Sequence, residues 1–269
     1  MKKIITIALL LAISTSFAQQ DLINYLFEIR YNYKTFNLKG KVKQLEYETG
    51  MTGGAMGLLS NKNYRCLFNK KGNLTYVTSF KSVYSDNNKN HENYKYDINN
   101  NLNEINIVEN NKPIKNYYFF YNKKEQLKSV MVTDVKTQIA TDYSIEWKNN
   151  QPTRITIKMN NKQVIYLSYN HQFDKNNNII KYDFNEAGDS GKVVRKYDDK
   201  NNLVFEKYEY FNDSTYNFEV KTTFDKDNNI TSKTEDGKTI KYFYVPEANK
   251  NWKILKNGNY IEFREYIYY

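Results

Sequence analysis

A seven-residue frame recurs along this chain: an aromatic residue, Asp or Asn, two mostly polar residues, two residues that are usually Asn, then an aliphatic one. It reads Phe173-Asp174-Lys175-Asn176-Asn177-Asn178-Ile179, Tyr197-Asp198-Asp199-Lys200-Asn201-Asn202-Leu203, Phe224-Asp225-Lys226-Asp227-Asn228-Asn229-Ile230 and Tyr96-Asp97-Ile98-Asn99-Asn100-Asn101-Leu102. Phe68-Asn69-Lys70-Lys71-Gly72-Asn73-Leu74 carries Gly in the fifth place, and Tyr121 to Leu127 fits loosely. Phe36 to Val42 reads as a degenerate first copy, and Trp147 to Pro152 is one residue short. The aromatic anchors are spaced 32, 28, 25, 26, 26, 24 and 27 residues apart. A nearly fixed period in this range marks a repeat architecture.

One copy can be read physically. Asn, Asp and Gly tolerate left-handed backbone angles, so the polar centre of the frame makes a turn. The flanks alternate: Tyr94 and Tyr96 around Lys95, Tyr208 and Tyr210 around Glu209, Leu45 and Tyr47 around Glu46. Alternation with period two marks a half-buried strand. A second turn follows within each repeat, as at Asn110-Asn111, Asn160-Asn161, Ala187-Gly188 and Asp236-Gly237. The expected fold is therefore all-β. It is an antiparallel array of strand-turn-strand-turn units, about 26 residues each, in a twisted sheet that can curl.

The start has another character. Met1-Lys2-Lys3, an apolar run from Ile4 to Ile13, and the small residues Ser16 and Ala18 form the three parts of a secretory signal peptide. Cleavage is expected after Ala18. The run is about half of what a spanning helix needs, and no later segment is apolar enough to span as one. The expected organisation is a signal peptide at 1–18, an N-terminal segment at 19–35 and a β-repeat domain at 36–269. In the middle segment, Leu22, Tyr25, Leu26 and Ile29 have helical spacing behind Asp21. A short helix covering a sheet edge is one reading and an extra strand the other. The expected location is periplasmic, secreted or cell-surface.

Net charge is +10 at pH 7 and becomes +8 without Lys2 and Lys3. The lysines are interleaved with Glu and Asp in no compact run, which argues against nucleic acid. Cys66 is the only cysteine, so there is no internal disulfide. Cys66 reads as a small core residue, and His91 and His171 lie in no catalytic motif. The glycine-rich stretch 50–59 reads as an inserted surface loop. It lacks the Lys-Ser/Thr of a phosphate loop. Asp225-Lys226-Asp227-Asn228-Asn229 opens like a calcium loop, but Ile230 stands where Gly is required and the later Glu is missing.

The Tyr-Asp frame followed by Asn-Asn-Leu/Ile resembles the YD-repeat (Rhs-type) family, over roughly residues 36–245. Leu38-Lys39-Gly40-Lys41-Val42 resembles the opening of small secreted YD-like proteins of Bacteroidota. The resemblance implies a long β-sheet that in large members spirals into a shell. The chain departs in its longer period, its Asn in place of the turn Gly, and its lack of a toxin-like C-terminal domain.

No catalytic, cofactor or metal residues are expected. The residues singled out are those of the repeat turns: Asp97, Asn101, Asp174, Asn178, Asp198, Asn202, Asp225 and Asn229. The expected role is a non-catalytic binding or scaffold module in the cell envelope or outside the cell, with a protein or glycan partner. A glycan-binding or adhesive surface protein is the alternative. An outer-membrane barrel is disfavoured, because Val193-Val194-Arg195-Lys196-Tyr197 puts a cation on both faces. A hydrolase would need paired carboxylates that one sequence cannot place.

Overall fold

The computed structural model describes residues 26–27, 36–52, 58–80, 90–160, 163–247, 251–257 and 260–269. Nineteen strands lie among them. The first ten are β1 (Val42–Thr52), β2 (Leu58–Phe68), β3 (Leu74–Phe80), β4 (His91–Tyr96), β5 (Leu102–Glu109), β6 (Lys112–Tyr121), β7 (Leu127–Asp134), β8 (Ala140–Lys148), β9 (Gln151–Met159) and β10 (Gln163–Phe173). The rest are β11 (Ile179–Glu186), β12 (Asp189–Tyr197), β13 (Leu203–Tyr210), β14 (Phe218–Phe224), β15 (Ile230–Glu235), β16 (Lys238–Lys241), β17 (Phe243–Pro246), β18 (Trp252–Asn257) and β19 (Tyr260–Tyr268). The chain is all-β and antiparallel.

Two compact units divide it. In one, built largely from residues 139–221, β8 to β13 pair each with the next. Its best-defined core is Tyr182, Phe184 and Val193, with Tyr166, Ile179, Tyr208 and Tyr210 packed against them. Phe27 also belongs here. Its ring lies 4.6 Å from that of Tyr143 and 6.0 Å from that of Phe119, covering part of the aromatic face. Leu26 and Phe27 have helical backbone. The rest of the segment at 19–35, and the signal peptide with its cleavage site, lie outside the described residues.

In the other unit β1 to β5 pair in sequence order, and β17, β18 and β19 do likewise. Its core includes Val42, Leu45, Cys66, Leu74, Leu102 and Ile105, all at most 2% exposed. Here β19 pairs with β1, joining strands from opposite ends of the chain.

The faces follow the alternation. Tyr94 is buried while Lys95 is exposed and reaches Glu104 on the next strand at 2.8 Å. Gly191, Val193 and Arg195 share a face with Tyr210, Tyr208 and Glu206. The opposite face carries Glu209, held between Lys192 and Lys207 at 2.6 Å each. Gly191 has to be glycine for space, because a Cβ there would stand 2.4 Å from the Glu209 carbonyl oxygen and 2.7 Å from the Phe184 ring.

The glycine-rich stretch departs from the expected loop. Gly50, Met51 and Thr52 are strand residues paired with Ser60, Leu59 and Leu58. The long first spacing thus comes from two eleven-residue strands. Ladder hydrogen bonds hold glycine in strand conformation despite its low intrinsic preference. Residues 53–57 lie outside the described set.

Candidate functional site

The eight singled-out residues form four copies of one closed network. In each, the Asp N–H donates to the Asn carbonyl four residues on, at 2.9–3.0 Å. One carboxylate oxygen of Asp198 accepts the N–H groups of Lys200 and Asn202, both at 2.9 Å, and the other accepts the Asn202 side-chain amide at 2.9 Å. Asp174 with Asn178 and Asp225 with Asn229 repeat this geometry. Asp97 binds Asn101 through the same oxygens. Burial pushes the pKa of Asp198 up, but these bonds outweigh it and the net shift is down. Both carboxylate oxygens are thus engaged within the turn. A calcium ion would have to displace those bonds.

The fifth place always has a left-handed backbone: φ is 87° at Gly72, 71° at Asn100, 60° at Glu125, 63° at Asn177, 64° at Asn201 and 65° at Asn228. Gly and Asn tolerate this region best, which is why they interchange there. The same bulge accompanies the turn at Phe68, Tyr96, Trp147, Phe173 and Tyr197. Tyr96 pairs with Leu102 but Lys95 with Glu104; Tyr197 pairs with Leu203 but Lys196 with Phe205.

Neighbouring copies are stitched along this edge. The sixth-place amide of one copy donates to the fifth-place amide of the next: Asn73 to Asn100 at 2.8 Å and Asn178 to Asn201 at 3.0 Å. Gln126 to Asn150 and Gln151 to Asn177 continue the pattern at 3.2 and 3.0 Å. Anchor hydroxyls reach back to the aliphatic carbonyl of the previous copy, Tyr96 to Leu74 at 2.8 Å and Tyr197 to Ile179 at 3.4 Å. Trp147 does the same through its indole N–H to Leu127 at 2.7 Å.

One further copy was not evident in the sequence. Glu247 N–H donates to Asn251 O at 2.8 Å and Pro246 pairs with Trp252, which is the same frame without its Asp-Asn letters. The first copy is composite. Val42 pairs with Tyr268 and Gln44 with Ile267, and Tyr269 N–H donates to Lys41 O at 2.9 Å. The C-terminal strand thus supplies the aromatic half expected from Phe36. Phe36 instead packs edge-on against Phe68, and Asn37 binds Asn229 at 2.9 Å.

Several buried ionisable groups away from the turns are also engaged. His171 Nδ1 donates to the Pro152 carbonyl at 2.7 Å, so its Nε2 accepts from the Ser168 hydroxyl at 3.0 Å. Burial lowers its pKa, with the Arg195 charge adding to that. Arg195 is buried against Glu206 at 2.6 Å and over the Tyr182 ring. Arg264, also buried, pairs with Glu262 at 2.7 Å and lies 3.8 Å from the Trp252 ring centroid. Cys66 is fully buried.

A cavity of about 220 Å³ opens at the other end of these strands, lined by Tyr64, Val77, Glu92, Ile107, Glu109 and Ile114 among others. Glu92 stands opposite Val77 and Ile107, on the apolar face. The buried Tyr94 hydroxyl donates to it at 2.6 Å. Burial, then the charge and bond of Glu92, push the Tyr94 pKa well up. The sequence signal was a carboxylate in step with the apolar residues. Among the described residues, no group of His, Cys, Asp and Glu is arranged to hold a metal ion.

No family model matches this chain, and no curated protein matches it. Solved structures are similar at low identity. A porin-like protein from Bacteroides uniformis aligns at 10% identity and TM-score 0.47, over 86% of this chain and 99% of that one. The Photorhabdus luminescens Tc holotoxin pore aligns at 11% identity and TM-score 0.36, over 78% of this chain and 13% of that one. A TcdB2–TccC3–Cdc42 structure aligns at 11% identity and TM-score 0.31, over 78% of this chain and 12% of that one.

Proposed function

We propose that this is an exported, non-catalytic β-repeat protein of YD-repeat type, acting as a binding or scaffold module in the cell envelope or outside the cell. The observation that carries the reading is where its polar chemistry goes. The repeated Asp and Asn residues are spent on their own turns and on the stitching between copies. His171 has both ring nitrogens engaged, and Cys66 is buried. Catalysis needs such groups aimed at a substrate, with a base in reach of a proton. Export is supported by the charged head, apolar run and small residues of positions 1–18.

The test pairs binding with turnover. The chain without residues 1–18 is incubated with intact cells and with isolated envelope and extracellular polymers. Saturable retention with no change in the polymer is the expected result. Steady release of cleaved product, lost in a His171 or Glu92 variant, would replace the reading with an enzymatic one.

A further inference from the structure

The connection between β13 and β14 is longer than the other second turns among the described residues. At Asn110-Asn111, Ala187-Gly188 and Asp236-Gly237 the chain reverses through two left-handed residues. Between Tyr210 and Phe218 it makes a seven-residue loop, Phe211 to Asn217, with a single 3-10 turn at Ser214–Tyr216.

The loop is held rigidly. Asp213 Oδ1 accepts the Thr215 N–H at 2.8 Å and its hydroxyl at 2.7 Å, and Asn217 Oδ1 accepts the Tyr210 N–H at 2.7 Å. Phe211 N–H donates to Ser190 O at 2.8 Å and Asn217 N–H to Ser214 O at 3.1 Å. The Tyr210 ring, itself packed on Phe184, meets Tyr216 edge-on at 6.1 Å.

What this scaffold presents is two aromatic rings in water. Phe211 is 61% exposed and Tyr216 65%. Beside them, the Asn212 amide, Asp213 Oδ2, Asn217 Nδ2 and the Tyr216 hydroxyl have no hydrogen-bond partner among the described residues. The site therefore combines flat apolar faces with free donors and acceptors on a fixed backbone. An apolar protein patch docked here would bury those polar groups unsatisfied, which opposes binding. A sugar ring matches both requirements: its C–H face stacks on an aromatic ring and its hydroxyls both donate and accept. Preorganisation lowers the entropy lost on binding.

We propose that the Phe211–Asn217 loop is a carbohydrate-binding site, with Phe211 and Tyr216 as stacking platforms and Asn212 and Asp213 as hydroxyl partners. This rests on the reading of the chain as a binding module and names a ligand class and a site for it.

The experiment is affinity electrophoresis of the chain without residues 1–18 through gels containing, in turn, a β-glucan, a mannan, a xylan and soluble peptidoglycan fragments. Retardation by at least one is expected. The F211A/Y216A double variant should lose at least tenfold in affinity and Asn212→Ala about threefold, with the melting temperature of both unchanged because these side chains are exposed. Retardation of wild type that both variants retain would overturn the site while leaving the binding-module reading intact. No retardation by any of the four would overturn the carbohydrate assignment. Cleavage of the polymer would overturn the non-catalytic reading itself.

Discussion

At one end of the repeats the chain turns through the seven-residue frame; at the other the described connections vary, from two-residue reversals through the five residues between β7 and β8 to the Phe211–Asn217 loop. The frame end is uniform: one bulged register, one left-handed place, one carboxylate network. It is also the end where amide side chains bond from copy to copy. At the other end, side-chain hydrogen bonds also pass between neighbouring turns, Asn110 N–H to Asn90 Oδ1 at 2.9 Å and Ala140 N–H to Asn160 Oδ1 at 3.1 Å, but they use no fixed place in a frame. Sequence regularity thus marks the edge at which repeats recognise each other. The irregular turns are free to carry differences: in one unit the Glu92 cavity lies at such an end, and in the other unit the exposed aromatic loop does.

The largest expected effect breaks this comparison if it fails. Deleting Asn201 removes one residue from a frame, so β13 must slip by one and send Tyr208 and Tyr210 to the face now held by Lys207 and Glu209. Loss of about 4 kcal/mol or more is expected, seen as a collapse of the denaturant midpoint. Deleting Asn212 in the loop should cost about 1 kcal/mol, since no register depends on it. Equal losses would mean that the frame does not set register.

Next in size is the Tyr94–Tyr96 strand. Tyr96→Asp removes a half-buried ring and its bond to Leu74 O, and should cost about 3 kcal/mol in urea melts. Lys95→Asp loses only an exposed pair with Glu104 and should cost under about 1 kcal/mol. Similar costs would show that alternation does not mark the buried face. Smaller again is Asp198→Ala. It abolishes three hydrogen bonds within one turn and leaves the strands in register, for about 2 kcal/mol.

His171, bonded to the Pro152 carbonyl near a frame turn, gives stability a pH dependence. Its folded pKa is lowered by burial, so the unfolded chain binds the proton more readily. Its contribution to stability is full above the unfolded value, about 6.5, and is lost as pH falls from there through the depressed folded value. The melting temperature should drop between pH 7 and pH 5. His171→Gln should flatten that slope, and an unchanged slope would remove His171 as its source.

The strands, both kinds of turn and the buried faces were legible because they are local. Alternation reports a face and Asn or Gly reports a left-handed angle. The terminal pairing of β1 with β19 was not legible. It joins Val42 to Tyr268, and a contact between distant residues leaves no spacing to read. The copy at Glu247–Asn251 was missed because its backbone bonds do not depend on the Asp-Asn letters. Gly191 looked like any strand glycine; its need for space comes from Phe184 and Glu209, which only folding brings together. For the exposed loop, Phe211 and Tyr216 gave no signal that separates them from the many buried aromatics. The same residue types pack or stack according to a burial that the letters do not carry.

The smallest effect compares the two ends at equal strain. Glu125 sits at the fifth place of its frame with φ of 60°, and Gln138, in the turn after β7, has φ of 58°. Neither side chain favours this region, which costs a non-glycine residue about 1 kcal/mol. The Glu125 side chain has no hydrogen-bond partner among the described residues, and its backbone N–H bonds Asn122 O whatever the side chain. Glu125→Gly should therefore relieve the strain, less the extra entropy glycine gives the unfolded chain, for a net gain of about 0.5 kcal/mol. Glu125→Asn should gain about as much without that entropy loss, and would match the residue most frames use. Gln138 differs in one respect: its side-chain amide donates to Val135 O at 2.6 Å. Gln138→Gly relieves the same strain but loses that bond, worth about 1 kcal/mol, and should come out neutral or slightly destabilising. Paired urea melts at high precision decide it. A gain at both positions would mean that the Gln138 bond contributes little. A gain at neither would mean that a left-handed angle is not strained in these turns, and that the preference for Asn at the fifth place comes from the stitching amides.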